Sequence, residues 1–258
     1  MSFEADHEFC KDLLTKQTSV LDYGCGSGQF LQLVGDRIGD GIGIDLDVRL
    51  VEKAASGNRF ANVRYLHADT SANLPFENGR FDVIVAFGVL EHVGPEQPYI
   101  QEFHRLLRPG GSLVIAVPSM GPFRAFDIGN IKYNFPRLHR WFYYYIARQP
   151  GYYDRNFGTD APMFGQFSRN ATRHNHYSAT DLVSLTASYF RMDRYVRYGL
   201  FFELIQFLEV VVCKPFGRSR VRLFAYLIEQ DCKLLSPLGW ANIVAVFRKQ
   251  AMLVPRTS

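Results

Sequence analysis

Short apolar runs alternate with amphipathic segments along the first half of the chain. Phe81–Phe87 is the clearest apolar run and is typical of a strand buried on both faces. Amphipathic helices are predicted near 47–57 and 96–107, the second ending with Gly110 and Gly111 as its C-cap. The other predicted strands are Val20–Leu21, Gly41–Asp45, Val63–His67 and Ser112–Val117. This alternation predicts an α/β fold, a parallel sheet with helices on both faces.

A glycine-rich turn follows the first predicted strand. Gly24, Gly26 and Gly28 permit positive φ angles and a close approach of the backbone to a ligand. The next segment is predicted to be a helix, whose first N–H groups would face the turn. Such turns also close ordinary βα units. A dinucleotide fingerprint would place its third glycine three residues after the second, at Gln29 instead of Gly28.

Several polar or aromatic residues follow the other predicted strands. Asp45 ends the second strand and could accept hydrogen bonds from a ribose diol. Asp69 follows the third strand and could accept from an adenine amino group or cap a turn. Phe87 and His92 follow the fourth. Because the carboxyl ends of parallel strands share one edge of the sheet, these residues and the glycine turn are predicted to meet there.

Six motifs in order give the chain a family resemblance. They are Leu-Asp-Tyr-Gly-Cys-Gly-Ser-Gly (21–28), Gly-Ile-Asp (43–45), Ala-Asp (68–69), Phe-Asp-Val-Ile-Val-Ala (81–86), Leu-Glu-His-Val (90–93) and Leu-Leu-Arg-Pro-Gly-Gly (106–111). Together they resemble class I S-adenosylmethionine (SAM)-dependent methyltransferases, in the branch of ubiquinone-biosynthesis and sugar enzymes. The resemblance covers residues 18–117 well. It implies a Rossmann-like, mostly parallel sheet of seven strands closed by an antiparallel strand at Trp240–Phe247.

The resemblance also implies SAM as cofactor and a set of residues that hold it. Gly24, Gly26 and the neighbouring backbone would hold the methionine end, Asp45 the ribose hydroxyls, and Asp69 with Thr70 the adenine. The full expected set is Asp22, Tyr23, Gly24, Cys25, Gly26, Gly28, Asp45, Leu46, Asp69, Thr70 and Phe87.

Two histidines are candidate catalytic bases, since imidazole titrates near neutral pH. They are His92 and His176, and each could equally shape the pocket or contact a ligand. Some relatives carry a metal-assisting Glu-x-x-Glu-His cluster. Here the first carboxylate position is Gly88, so no metal site is expected.

Residues 119–177 exceed the minimal fold and are expected to form a lid or substrate wall. They contain fifteen aromatic residues and eight Lys/Arg against three Asp. Trp141 and Tyr145 could stack on an acceptor or pack a small core of the lid itself. His174 and Tyr177 are the other expected substrate contacts.

Residues 178–258 are expected to complete the sheet, with strand 6 at Arg191–Tyr198 and a helical insertion at 200–236. Phe201–Val212 is apolar but shorter than the roughly 20 residues of a membrane span. A basic cluster follows it, formed by Lys214, Arg218, Arg220 and Arg222. This combination is consistent with simple packing, a homodimer face, or peripheral contact with an anionic membrane or lipid-linked substrate. The expected units are therefore 1–118, 119–177 and 178–258.

Charge and cysteine content indicate the cellular compartment of the protein and the kinds of partner that it binds. Residues 1–117 carry 10 Lys/Arg and 16 Asp/Glu, whereas the remainder carries 19 and 9. The basic half favours an anionic acceptor or surface, or simply a solvated face. The strand-4 junction has neither the Pro-Pro turn nor the Pro-Cys nucleophile of base methyltransferases, which argues against nucleic acid. The four cysteines form no CxxC pair and the acidic N-terminus is no signal peptide, so a cytoplasmic setting is expected.

The resulting functional hypothesis is methyl transfer from SAM to an oxygen or nitrogen of a small or lipid-linked acceptor. Alignment in a water-poor pocket would supply much of the acceleration. Two alternatives stay open: a module that binds SAM for regulation without turnover, and a nicotinamide-dependent oxidoreductase.

Overall fold

The computed structural model describes residues 3–68, 73–127, 130, 134–157, 175–213, 222–233 and 239–250. Within them, seven strands form one sheet in the order β3-β2-β1-β4-β5-β7-β6. The strands are β1 Ser19–Tyr23, β2 Asp40–Asp45, β3 Val63–His67, β4 Phe81–Phe87, β5 Leu107–Pro118, β6 Phe190–Tyr198 and β7 Asn242–Lys249. β7 runs antiparallel to both β5 and β6, and the other pairings are parallel. The predicted Rossmann-like fold is confirmed.

Helices cover both faces of this sheet. They are α1 Phe3–Cys10, α2 Gln29–Val34, α3 Val48–Ser56, α4 Gln97–Leu106, α5 Pro136–Trp141, α6 Pro150–Phe157, α7 Ala179–Thr186, α8 Phe202–Cys213 and α9 Arg222–Lys233. Alternate residues of the strands enter two separate apolar cores. Leu21 and Ile84, for example, lie in one core, and Val20 and Val85 lie in the other. Burial on both faces explains why the central strands are continuous apolar runs.

The end of α4 differs from the sequence prediction. The helix stops at Leu106, and Leu107 is already extended and pairs with Phe81. Gly110 and Gly111 therefore lie within β5 and are not the helix C-cap, although Gly110 has a φ of 73°. Pairing with β4 and an ion pair between Arg108 and Asp82 hold this segment against the sheet. Strand pairing between β4 and β5 therefore outweighs the helix-capping signal of the two glycines.

Two additions to the sheet frame its carboxyl edge. Between β5 and α7 lie a 3₁₀ turn at Arg124–Phe126, α5, a π-helical turn at Phe142–Ile146, and α6. Between β6 and β7, α8 and α9 pack against each other. Phe126 contacts Phe207, and Phe123 contacts Phe201, so the start of the first addition rests on α8. No helix among the described residues is long and apolar enough to cross a membrane.

Candidate cofactor and acceptor site

The glycine turn joins β1 to α2 at the carboxyl edge of the sheet. Gly24, Gly26 and Gly28 have φ angles of 77°, 51° and 81°, which L side chains rarely adopt. The amides of Gly24 and Cys25 both donate to the Ile44 carbonyl at 2.9 Å, which fastens the turn to β2.

The three-dimensional surroundings separate Gly26 from Gly28. A Cβ on Gly28 would lie 2.6 Å from the hydroxyl of Tyr65, so packing excludes a side chain there. A Cβ on Gly26 would meet nothing within 4 Å. Gly28 therefore serves the fold, and Gly26 lies beside open space that a ligand can occupy.

Asp45 connects the end of β2 to this turn. Its Oδ2 accepts from the Gly26 amide at 2.8 Å and its Oδ1 accepts from the Asp47 amide at 2.9 Å. Each carboxylate oxygen retains a further lone pair for a ligand hydroxyl. Leu46, the next residue, is partly buried, and its carbonyl lies 3.1 Å from Nε2 of His67.

Asp22 lies at the end of β1 and is buried. Burial, together with the nearby Asp45 carboxylate, raises the pKa of Asp22 to about 8. Two adjacent acidic groups out of water favour a positively charged ligand, since a cation would stabilise both ionised forms. The open space at Gly26 and this acidic character fit SAM, which carries a sulfonium and an ammonium group.

The other expected cofactor residues have different surroundings. The ring of Tyr23 packs edge-on against Phe103 and Tyr99 in the core, which leaves its backbone at the turn. The Cys25 thiol is buried and its pKa is raised by burial. Phe87, at the end of β4, packs edge-on against Phe30 at 5.2 Å between ring centroids. Asp69 and Thr70 lie outside the described residues.

Segment 175–177 crosses the same edge beyond β4 and β5. The Asn175 amide donates to the Glu91 carbonyl at 3.1 Å, and the Tyr177 amide donates to the Pro118 carbonyl at 3.0 Å. The Tyr177 hydroxyl lies 2.9 Å from both the Leu90 carbonyl oxygen and Glu96 Oε1. These bonds bring His176 to the sheet edge near the 3₁₀ turn Leu90–His92.

Comparison with known proteins shows what residues 21–115 are similar to. A family model described as a methyltransferase domain matches residues 21–115. A probable SAM-dependent methyltransferase of Mycolicibacterium smegmatis is 34% identical over 100 residues, 39% of this chain and 38% of that protein. A ubiquinone biosynthesis O-methyltransferase of Psychrobacter arcticus is 30% identical over 122 residues, 46% of this chain and 48% of that protein.

The chain therefore contains, at residues 21–115, a region similar to the class I SAM-dependent methyltransferases. It spans less than half of the length of these curated relatives. A solved SAM-dependent methyltransferase from Mesorhizobium loti has a TM-score of 0.55, with 14% identity, over 96% of this chain and 100% of that chain. At that identity the likeness shows a shared fold. SAM is the cofactor that the family implies, and the glycine turn, Asp22 and Asp45 are suited to it.

The two candidate catalytic histidines both lie at the carboxyl edge. His92 is mostly buried, and its Nε2 is 4.0 Å from Oε1 of the buried Glu91. His176 has a side chain only 7% exposed, and its Nε2 is 3.4 Å from Oδ2 of Asp127. Sequence analysis did not single out Asp127, because it lies 49 positions before His176 in an irregular stretch without a motif. Among the described residues, no group of three metal-ligating side chains could hold an ion.

The aromatic residues Trp141–Tyr145, in the addition between β5 and α7, divide between buried and exposed positions. Tyr143 is buried against His139 and Tyr153, with ring centroids 5.0 and 5.8 Å away. Trp141 and Tyr145 are 49% and 69% exposed. Tyr143 thus packs a small core of the lid itself, whereas the two residues expected to contact substrate face solvent. His174, also expected there, lies outside the described residues.

Proposed function

We propose that this chain transfers the methyl group of SAM to an oxygen or nitrogen of a small or lipid-linked acceptor. The observation that carries the proposal is the convergence on one sheet edge of a ligand-accessible glycine turn, two carboxyl groups and two histidines. The glycine turn and the two carboxyl groups suit a cationic cofactor, and the histidines lie toward the ends of β4 and β5. The Psychrobacter relative, an O-methyltransferase of ubiquinone biosynthesis, favours oxygen and a lipid-linked acceptor.

Each group of residues has a task in this function. The turn and Asp45 would bind and orient the cofactor, which when bound supplies an electrophilic methyl group on a sulfonium. His92 and His176 are the side chains near the edge that could take a proton from an acceptor near neutral pH. The buried β4 and β5 ends exclude water, so alignment and desolvation contribute much of the rate.

The exposed surface of the lid supports a peripheral membrane contact. Leu138, Trp141 and Tyr145 recur at helical spacing and are all exposed. Arg137, Arg140 and Arg148 are exposed on the same segment, and residues 128–153 contain no Asp or Glu. Exposed aromatic residues beside arginines suit an anionic lipid surface, from which a lipid-linked acceptor could be taken.

Cofactor binding is the first test. We expect calorimetry to show micromolar binding of SAM and S-adenosylhomocysteine, and native mass spectrometry to show either one bound to the purified protein. Asp45→Ala should weaken SAM binding about 10- to 100-fold, because it removes charged hydrogen-bond acceptors and the tie to Gly26. Asp36→Ala, a surface carboxylate two residues after α2, is the control.

Two results would contradict the proposal. Binding of NAD but not of SAM would favour the oxidoreductase alternative. Tight SAM binding without release of S-adenosylhomocysteine across hydroxyl- and amine-bearing acceptors would favour the regulatory alternative.

A further inference from the structure

Three polar side chains from separate parts of the chain lie close together. They are Asp127, which follows the turn Arg124–Phe126; His176, between the lid and α7; and Glu203, in the first turn of α8. We call them the polar cluster. His176 is joined to Asp127 by the 3.4 Å contact, and Asp127 is close enough to Glu203 for its charge to raise that residue's pKa.

The polar cluster is withdrawn from bulk water. Asp127 is buried, and Glu203 is 6% exposed. Oε1 of Glu203 is buried and has no hydrogen-bond partner among the described residues. Buried polar atoms are nearly always paired, so an orphaned carboxyl oxygen in a native structure calls for an explanation, such as a ligand.

A neighbouring carboxylate shows what a purely structural role looks like. Asp231 of α9 accepts hydrogen bonds from the amides of Leu200 and Phe201 at 3.0 Å, which caps the approach to α8. Oε1 of Glu203, by contrast, has no hydrogen-bond partner among the described residues. Burial first, and then the charges of Asp127 and Asp231, raise the pKa of Glu203 to about 7.

We propose that the polar cluster is the acceptor-binding site and takes a hydrogen-bond donor, a hydroxyl or an ammonium group. This inference rests on the proposed methyl transfer and specifies its substrate class. Oε1 of Glu203 is a hydrogen-bond acceptor, and Asp127 and His176 add an acidic and a basic group to the same cluster. A carboxylate or phosphate at this point would meet like charge, so any anionic part of the acceptor lies elsewhere.

His176 and Asp127 have different tasks at this site. Oδ2 of Asp127 lies 3.4 Å from Nε2 of His176, where its charge favours the imidazolium form. His176 would take the proton of a hydroxyl acceptor as its oxygen forms the new bond to the methyl carbon. It would take the proton of an ammonium acceptor beforehand, which leaves the nitrogen lone pair to form that bond. The carbon–sulfur bond breaks with its electron pair left on sulfur. Asp127 is a positioning residue that also stabilises the resulting imidazolium.

The test follows the His176 imidazole by NMR of histidine-labelled protein, with His176→Gln identifying the signal. We expect phenol to shift this signal and benzoate, its carboxylate counterpart, to leave it unchanged. Asp127→Asn should lower the pKa of His176 by about one unit, because a carboxylate that favours the imidazolium is lost. Glu203→Gln should weaken the phenol-dependent shift severalfold.

Matched controls carry the same substitutions at other carboxyl groups, one in α6 and one in α8. Asp154→Asn replaces an exposed carboxylate of the lid, and Glu209→Gln replaces a carboxylate farther along α8. Both should behave as wild type. Calorimetry with SAM should give the same affinity for all variants, which also reports that each one is folded.

The outcomes separate this inference from the proposed function. No phenol-dependent shift at His176, a shift with benzoate instead, or an unchanged His176 pKa in Asp127→Asn would overturn the acceptor site. Those measurements are made with and without S-adenosylhomocysteine and do not require turnover. Failure of the wild-type protein to bind SAM would overturn the proposed function, whatever the His176 signal shows.

Discussion

At the scale of single residues, the glycine turn combines two requirements that look identical in the sequence. Gly28 is needed because the Tyr65 ring occupies the place of a side chain. Tyr65 also lies with its hydroxyl 3.2 Å from the Gly28 carbonyl, to which it donates. Gly26 has no such neighbour, and its amide is held by Asp45. Gly28 therefore supports packing, and Gly26 keeps a space accessible to a ligand.

This difference predicts that alanine at Gly28 mainly lowers stability, whereas alanine at Gly26 mainly weakens SAM binding. Gly28→Ala should lower the free energy of unfolding by about 2–4 kcal/mol through a steric clash and an unfavourable φ. Gly26→Ala should cost only about 1 kcal/mol of stability but weaken SAM binding at least tenfold. Urea denaturation and calorimetry on both proteins check this. Wild-type SAM affinity in Gly26→Ala would show that the cofactor does not approach this position.

At the scale of elements, the lid segment Pro136–Ile146 has an inner and an outer side. His139, Tyr143 and Ala147 are four residues apart and are buried in the lid's own core. This packing turns Trp141 and Tyr145 outward. The same period that buries one stripe therefore exposes another, and the exposed stripe is aromatic and bordered by arginine.

The outer side predicts binding to anionic vesicles. The protein should sediment with phosphatidylglycerol-containing vesicles more than with phosphatidylcholine alone, and salt should weaken the binding. A Trp141→Ala, Tyr145→Ala double variant should lose most of this binding. Leu33→Ala, which removes an exposed apolar side chain of α2, is the control. Equal sedimentation of the double variant and wild type would exclude this surface, and a change in oligomeric state would indicate a second copy instead.

At the scale of the whole molecule, three buried carboxyl groups affect stability in the same direction. Burial raises the pKa of Asp6 to about 7, of Asp22 to about 8 and of Glu203 to about 7. The folded protein therefore binds protons that the unfolded chain releases near pH 4. Their contribution to stability is fully present below the unfolded pKa and is lost as pH rises through the folded values.

Free of ligand, the protein should be less stable at pH 9 than at pH 6. Asp22→Asn should reduce this decline and raise the free energy of unfolding at pH 9 by about 1–3 kcal/mol, since it removes a buried charge. SAM affinity of the wild type should rise over the same range, because ionised Asp22 favours the cation. Urea denaturation and calorimetry at both pH values check this, with Asp36→Asn as control. A decline as steep in Asp22→Asn as in wild type would show that Asp22 does not titrate there.

The amino-acid sequence by itself determined the α/β class, the position of nearly every strand and the resemblance to SAM-dependent methyltransferases. These properties follow from local signals: continuous apolar runs, glycines at fixed spacing and an aspartate at the end of β2. Each of these signals lies within a few neighbouring residues, so it can be recognised without knowledge of the rest of the chain.

Only the tertiary structure decided which residues meet across long separations. The Gly110–Gly111 cap failed because Leu107 pairs with Phe81, 26 positions earlier. Tyr65, which lies on β3, occupies the place of a side chain at Gly28 but not at Gly26. The contact of His176 with Asp127 needs the crossing of segment 175–177 over the sheet edge, held by bonds to Glu91 and Pro118. Such contacts depend on strand order and packing, and no short stretch of sequence encodes either one.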